Sequence, residues 1–195
     1  MSKEKFISLY RQYIKRPGAD ELLSSLEQTD FFTAPASTRF HGAYEGGLCE
    51  HSVNVFNELV RLLKAYPEIK CSVETAAIVS LLHDLCKVGC YKPEVRSRKT
   101  GRIKRDGKPE WEDYLGYSFS EDFCFGGHGS KSVYLICQHM ELYPTEAVAI
   151  NCHMGFSDRS SGDYSLGAAY EQTPLAWLLH VADEAATFVV EGSSK

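Results

Sequence analysis

The sequence predicts an all-α protein, a bundle of helices with one small β-hairpin inserted around residues 91–122. Three observations lead to this prediction. Apolar residues recur every three or four positions along most of the chain, which is typical of amphipathic helices. Residues typical of strands and turns interrupt that pattern only between 91 and 122. No repeat or low-complexity tract divides the 195 residues, so we expect one domain of ordinary size, residues 1–195.

The N-terminal segment, residues 1–40, predicts two helices followed by a loop. Apolar side chains fall at helical spacing over residues 3–16, and Pro17 with Gly18 then stops the helix. Three leucines between positions 22 and 26 indicate a second, shorter helix. Residues 29–44 carry no periodic pattern and are expected to form a loop.

The remaining core, residues 41–190, predicts further helices at 48–66, 72–89, 130–141, 144–153 and 173–190. Ser72 is a good N-cap, and Gly89 is a plausible terminator for the helix that Ser72 begins. In the last helix, Thr173 can cap and Pro174 suits the first helical position. The Asp106-Gly107 dipeptide marks the turn of the hairpin.

Composition excludes several classes of protein. No window approaches the ~18 apolar residues of a membrane span, and the first residues lack the apolar core of a secretory signal, so we expect a cytoplasmic protein without membrane association. The seven cysteines are scattered without a Cys-x-x-Cys pair, which favours reduced thiols and argues against a zinc finger. A net charge of -5 argues against a surface that coats nucleic acid generally. Composition predicts no oligomeric state.

The most informative feature is the adjacent pair His83-Asp84, which follows the apolar run 76–82. A charged group that enters a core needs a strong partner, and a metal ion is such a partner. Other histidines and one aspartate lie in or beside separate predicted helices, as expected of a site in the core of a bundle. The candidate ligands are His51, His83, Asp84, His128, His153 and Asp183. The alternative for any one of the histidines is a hydrogen-bonded residue of the core. The alternative for Asp183 is an ion pair with a basic residue.

This His…His-Asp…Asp pattern resembles the signature of the HD-domain metal-dependent phosphohydrolases, an all-α superfamily that acts on phosphoester bonds of nucleotides and nucleic acids. Residues 41–51, His-Gly-Ala-Tyr-Glu-Gly-Gly-Leu-Cys-Glu-His, resemble the opening motif of the HD domain in bacterial 3′-5′ exoribonucleases. The resemblance covers roughly residues 40–190. Only forty residues precede His41, too few for an added nucleic-acid-binding domain of the usual kind, so a processive nuclease is not expected.

The resemblance implies different roles for the candidate ligands. His51, His83, Asp84 and Asp183 carry over as the core metal ligands. His128 and His153 resemble positions that hold a second metal in the dinuclear branches, with Asp84 as the bridge.

A metal held by imidazoles and carboxylates predicts hydrolysis by activated water. Such an ion lowers the pKa of a coordinated water toward neutrality and stabilises charge on phosphoryl oxygens, so no serine or cysteine nucleophile is required. Mixed N/O ligands favour one or two divalent transition metals, Fe or Mn first, with Ni, Co or Zn as alternatives. The alkaline-earth ion Mg is a further possibility. The expected substrate is a phosphorylated small molecule, a nucleotide or a short oligonucleotide. Asp84 and Lys87 are the expected catalytic residues.

Basic residues concentrate after the His83-Asp84 pair. Nine basic residues lie between positions 87 and 108, against two acidic ones. One interpretation is that Arg96, Arg98 and Arg102 hold substrate phosphates, because arginine suits bidentate phosphate contacts. The other is that the acidic residues after position 109 pair with them across the hairpin.

Two further residues are candidates for substrate binding. Lys87 lies about one helical turn beyond Asp84, and the resemblance points this lysine at phosphate. Its alternative is a solvated cation at a helix C-terminus. His41 either orients substrate or has a structural role.

Three functions compete on these observations. The leading hypothesis is a phosphohydrolase. An HD-domain oxygenase with a mixed-valent di-iron centre would use a similar ligand set, and the basic segment favours hydrolysis over it. A nucleotide-binding sensor with an inert metal site is the third, which the intact ligand set disfavours.

Overall fold

A computed structural model describes residues 2–121, 123–158 and 164–192. It is mostly helical with one two-stranded antiparallel sheet, as predicted from the sequence. The helices are α1 (Ser2–Tyr13), α2 (Ala19–Glu27), α3 (Gly47–Ala65), α4 (Val73–Leu82), α5 (His128–Cys137), α6 (Pro144–Asn151), α7 (Ser165–Gln172) and α8 (Pro174–Ala185). The strands are β1 (Tyr91–Ile103) and β2 (Pro109–Phe119). No helix in the described residues is long and apolar enough to cross a membrane.

The hairpin lies where the sequence predicts it. Its register pairs Tyr91 with Phe119 at the base and Lys99 with Trp111 further out, and it becomes irregular before Ile103. Gly107 adopts a φ of 81° in the turn, which a glycine tolerates without a steric penalty. Residue 122, the end of the predicted hairpin, lies outside the described residues.

Helices α3 and α4 form the centre of the helical body. Every residue of α4 from Thr75 to Leu82 is buried, as expected of a helix that is apolar all round. Its start is the predicted one, since the Ser72 hydroxyl accepts a hydrogen bond from the Thr75 amide at 2.9 Å. At the start of α3, a Cβ on Gly47 would lie 2.0 Å from the carbonyl oxygen of Gly42, so this close approach requires glycine.

Helix ends differ from the prediction next to two of the candidate ligands. Helix α4 ends at Leu82 instead of continuing to Gly89, and a short 3₁₀ turn, Leu85–Lys87, follows. His83 is therefore the C-cap of α4, and Asp84 leaves the helical conformation with φ −103° and ψ 20°. The predicted helix 72–89 would place both residues in its last two turns. In the structure they lie instead at a junction between elements.

The C-terminal region also departs from the prediction. Helix α7 was not predicted at all. The expected helix 173–190 divides into α8 and one π-helical turn, Ala186–Val190, in which the Glu191 amide bonds to the Ala186 carbonyl. Thr173 makes no side-chain cap bond, although Pro174 occupies the predicted first position.

A buried ion pair ties the N-terminal segment to the core. The Arg16 guanidinium donates to both carboxylate oxygens of Glu146 at 2.7 and 2.9 Å, and the Thr75 hydroxyl donates to the same carboxylate. The Glu146 side chain is fully buried. Because the pair is bidentate and further hydrogen-bonded, its desolvation is compensated.

Candidate metal centre

Five of the six candidate ligands converge between four elements. His51 comes from α3, His83 and Asp84 from the end of α4, His153 from just after α6, and Asp183 from α8. Two overlapping groups, His51/His83/Asp84 and His83/His153/Asp183, each place their ligand atoms within 4.8 Å of one another. Residues separated by up to 132 positions in the chain thus form one buried cluster.

Asp84 lies at the centre of this cluster. Its Oδ2 is 3.5 Å from His83 Nε2 and 3.7 Å from His51 Nε2, and its Oδ1 is 3.5 Å from His153 Nε2. A second carboxylate oxygen, Oδ1 of Asp183, lies 3.1 Å from His51 Nε2. Both carboxylates therefore face the same set of imidazole nitrogens.

Hydrogen bonds at the far side of each ring fix the orientation of the imidazoles. His83 Nδ1 donates to the Ser80 carbonyl at 2.8 Å, and His153 Nδ1 donates to the Ile150 carbonyl at 2.7 Å. A carbonyl oxygen can only accept, so Nδ1 carries the hydrogen in both rings. The Nε2 lone pair of each ring is then free to face Asp84, as in histidines that bind metals.

The inward nitrogens make no hydrogen bond of good geometry. Nε2 of His51, His83 and His153 is buried without such a bond in the described residues, although Asp183 Oδ1 lies 3.1 Å from that of His51. A buried polar atom without a partner costs about 1–3 kcal/mol, and a cation that binds the three nitrogens, displacing the proton on His51, removes this cost. The described residues therefore fit a metal ion, and their N/O character suits a transition metal.

Glu191 is a candidate functional residue that the sequence did not reveal. Its Oε1 accepts from His51 Nδ1 at 3.0 Å and from Asn54 Nδ2 at 3.0 Å. This carboxylate orients His51 as the backbone carbonyls orient the other two rings. Glu191 follows the π-helical turn after α8, so no periodic pattern in the sequence could place it beside α3.

The electrostatics of the cluster keep its groups in different protonation states. Burial would raise the pKa of Asp84, but Lys87 and the neighbouring histidines outweigh burial and hold it well below its usual range. Burial lowers the pKa of His83 to about 4, so this ring is neutral near pH 7. Burial also acts against a charged His51, yet Asp183 and Glu191 together raise its pKa to about 10.

A cavity of about 560 Å³ opens beside the cluster. Its polar lining includes His41, Lys87, Asp183 and Glu191, and the aromatic ring of Phe40 lies among the other lining side chains. Lys87 Nζ lies 2.6 Å from Asp84 Oδ2, so the ammonium joins the cluster to the cavity. His41 Nε2 is buried without a partner in the described residues, and burial lowers the pKa of His41 to about 4.

His128 is not brought into the ligand groups. Its Nδ1 lies 3.3 Å from Asp158 Oδ1, its backbone amide donates to Asp158 Oδ2 at 2.8 Å, and its side chain is one-third exposed. Its assignment to a second metal therefore stays a prediction. His180 donates from Nδ1 to the His153 carbonyl at 2.7 Å, which makes it a support for a candidate ligand. His139 is exposed and lies outside the ligand groups.

The predicted phosphate-binding arginines do not line the cavity. Arg96 pairs with Glu94 on its own strand, and Arg98 pairs with Glu112 on the opposite strand at 2.7 Å. Arg102 is exposed on the distal part of the hairpin. For Arg98 the structure thus shows the cross-strand pairing that was the alternative interpretation.

No family model, curated protein or solved structure matches this chain. Its function is therefore inferred from the geometry of the cluster and its cavity.

Proposed function

We propose that this chain is a metal-dependent phosphohydrolase of the HD-domain type, which cleaves a phosphoester of a nucleotide or short oligonucleotide. The observation that carries the proposal is the convergence of three unsatisfied imidazole nitrogens and two carboxylates beside a cavity that contains a lysine. A divalent transition metal held there, Fe or Mn by our proposal, would lower the pKa of a coordinated water and stabilise charge on the phosphoryl oxygens.

Lys87 favours an anionic substrate. Burial disfavours its charged form, but Asp84 outweighs burial and raises the pKa of Lys87, so the ammonium stays charged. From the cavity wall this cation can donate to a phosphoryl oxygen and stabilise the negative charge that develops during hydrolysis. An oxygenase that acts on a neutral substrate has no need of this group.

The neutral imidazole of His41 is the second polar group available to substrate. Its Nε2 has no partner in the described residues, and its ring centroid is 5.0 Å from that of His51. We assign it the binding of a substrate hydroxyl or phosphoryl oxygen at the cavity wall.

The cavity also offers flat apolar surface. Phe40 and Phe188 line it, and their side chains are 60% and 70% exposed. A planar base or another aromatic group can stack on such rings. The combination of a cation near the metal centre and aromatic rings further out supports a nucleotide over a simple alkyl phosphate.

The proposal is tested with chelator-stripped protein that is reloaded with Mn²⁺, Fe²⁺ or Ni²⁺. Hydrolysis is then measured on an aryl phosphodiester and on cyclic and linear nucleotides. We expect metal-dependent activity, which His83→Ala abolishes and His139→Ala preserves, because His139 is an exposed imidazole outside the site. Hydrolysis that survives in His83→Ala, or protein that binds no metal by calorimetry, would reject the proposal.

A further inference from the structure

The two faces of the β-hairpin differ sharply in chemistry. Directly opposed residues of paired strands share a face, and successive residues alternate. One face carries ion pairs, including Arg98 with Glu112. The other, which we call the apolar face, consists of Tyr91, Pro93, Val95, Trp111, Leu115, Tyr117 and Phe119. A single acidic residue, Asp113, lies among them and accepts a hydrogen bond from Ser97.

The apolar face is exposed in the described part of the chain. Val95 is 73% exposed, Leu115 is 66% exposed and Trp111 is 53% exposed. A two-stranded ribbon is only marginally stable in water by itself, so an uncovered apolar face reduces an already small stability. The largest exposed apolar surface of a protein is often functional, which makes this face a candidate for binding.

The distal part of the hairpin is strongly basic. Residues 99–108, which we call the cationic tip, contain five basic side chains against the single acidic residue Asp106. The five are Lys99, Arg102, Lys104, Arg105 and Lys108. Each is exposed, and no carboxylate of a described residue lies within ion-pair distance of any of them. Lys99 lies over the Trp111 ring at 5.6 Å, which joins the cationic tip to the apolar face.

The base of the apolar face lies next to His128 and follows Lys87 closely in the chain. The Tyr91 and Phe119 rings are 5.5 Å apart, and the Phe119 ring is 6.2 Å from that of His128. Strand β1 begins four residues after Lys87, and the Cys90 amide bonds to the Lys87 carbonyl. A polymer that lies along the apolar face would thus have one end near Lys87, a residue that lines the cavity.

We propose that the hairpin binds a single-stranded nucleic acid, with bases stacked on the apolar face and phosphates neutralised by the cationic tip. Stacking on planar side chains combined with a basic surface is how proteins hold single strands without sequence preference. Delivery of the strand to the metal centre rests on the proposed function, whereas binding does not. Trp111 and Phe119 are eight residues apart, about 27 Å at 3.4 Å per residue, which suits a site of about four nucleotides.

A second copy of the chain is a poorer occupant. Two strands spaced about 4.8 Å apart give a ribbon about 10 Å wide, so the apolar face presents on the order of 300 Å². A stable dimer buries about 800 Å² per partner. An anionic lipid surface would also meet a basic tip, but the rings of Tyr91 and Tyr117 at the base of the apolar face are half-buried and so less able to enter a bilayer.

Binding is measured by the fluorescence anisotropy of labelled oligo-U and oligo-dT of about ten nucleotides, on the full chain in excess chelator so that no hydrolysis occurs. We expect Trp111→Ala to weaken binding about 5- to 150-fold, the range for removal of one stacked base. The matched control is Tyr164→Ala, because Tyr164 is 88% exposed and lies outside the hairpin. It should bind as the unmodified chain does.

The cationic tip is tested by salt dependence. Arg102→Gln with Lys104→Gln should flatten the plot of log affinity against log salt by about 0.7 for each phosphate that is no longer neutralised, whereas Lys64→Gln with Lys70→Gln should not. These exposed substitutions also provide a test that does not depend on Trp111.

The outcomes separate the two proposals. Equal affinities of Trp111→Ala and Tyr164→Ala, or no oligonucleotide binding at all, would overturn the role of the hairpin. Binding only to phosphatidylserine vesicles, abolished by Trp111→Ala, would overturn it in favour of a membrane surface. Hairpin-dependent oligonucleotide binding in a chain that hydrolyses no phosphoester when metal-loaded would instead reject the proposed function and leave the hairpin proposal standing.

Discussion

Metal binding to this protein should release protons, chiefly from His51. A metal ion needs the lone pair of His51 Nε2, but Asp183 and Glu191 raise the pKa of this buried imidazole to about 10, so the metal-free site holds a proton there near neutral pH. His83 contributes no proton, because burial lowers its pKa to about 4. The proton and the metal therefore compete mainly at one nitrogen.

The size and sign of the pH dependence of metal affinity follow from this competition. Release of one proton makes the metal affinity rise about tenfold per pH unit, or about 1.4 kcal/mol, as long as the pH stays below the pKa of His51. Asp84 raises the pKa of His153 despite its burial, which acts in the same direction. Mn²⁺ affinity should therefore increase by at least about tenfold between pH 7 and pH 8.

The assay is titration calorimetry of metal-free protein with Mn²⁺ at pH 7 in two buffers of different ionisation enthalpy, which yields the number of protons released. Glu191→Gln provides the internal comparison, because removal of one carboxylate lowers the pKa of His51 and should lower the proton count. A count of zero in the unmodified chain, with affinity independent of pH, would refute the assignment of His51 as a ligand.

Four other outcomes are expected. Glu146→Ala leaves the Arg16 guanidinium without its bidentate partner and should lower the free energy of unfolding by about 3–5 kcal/mol in urea denaturation. Glu191→Ala should weaken metal affinity about 10- to 100-fold by calorimetry, with Glu184→Ala as a control from the same cavity. Lys87→Ala should reduce kcat by about 100-fold on a phosphoester while the metal content stays at that of the unmodified chain. Metal analysis should find one ion per chain in plain buffer and a second only with inorganic phosphate present.

The sequence could predict the parts of the site that depend on local pattern. Periodic apolar residues placed His51 on the inner side of α3, and the Ser72 cap fixed where α4 begins. The charged pair at the end of an apolar run identified the centre of the cluster. These signals are short-range, and each agrees with the burial that the structure shows.

What the sequence missed depends on tertiary contacts. Helix α4 stops at Leu82 because Asp84 leaves the helical conformation, while the His83 ring donates back to the last turn, and neither event has a local breaker. Glu191 reaches His51 only because the chain takes a π-helical turn after α8. The division into residues 1–40 and a core at 41–190 stays a prediction, as does the second-metal role of His128.

The charged residues of the hairpin also show what the sequence alone cannot predict. The basic and acidic stretches of the hairpin have one sequence pattern but two physical outcomes, and the register decides between them residue by residue. Arg98 lies opposite Glu112 and is neutralised, whereas the irregular pairing beyond Lys99 leaves the cationic tip without acidic neighbours among the described ion pairs. A run of charge therefore predicts a basic surface only where the fold leaves it unpaired.

The balance of charge in the site bears on whether one metal or two are bound. With its imidazoles neutral, the cluster holds the carboxylates of Asp84, Asp183 and Glu191 against the ammonium of Lys87. One divalent ion neutralises this excess of two negative charges. A second ion would place two further positive charges in a buried site, where an uncompensated charge is costly. An anionic phosphoryl group supplies the missing negative charge, so a second ion and the substrate should favour each other's binding.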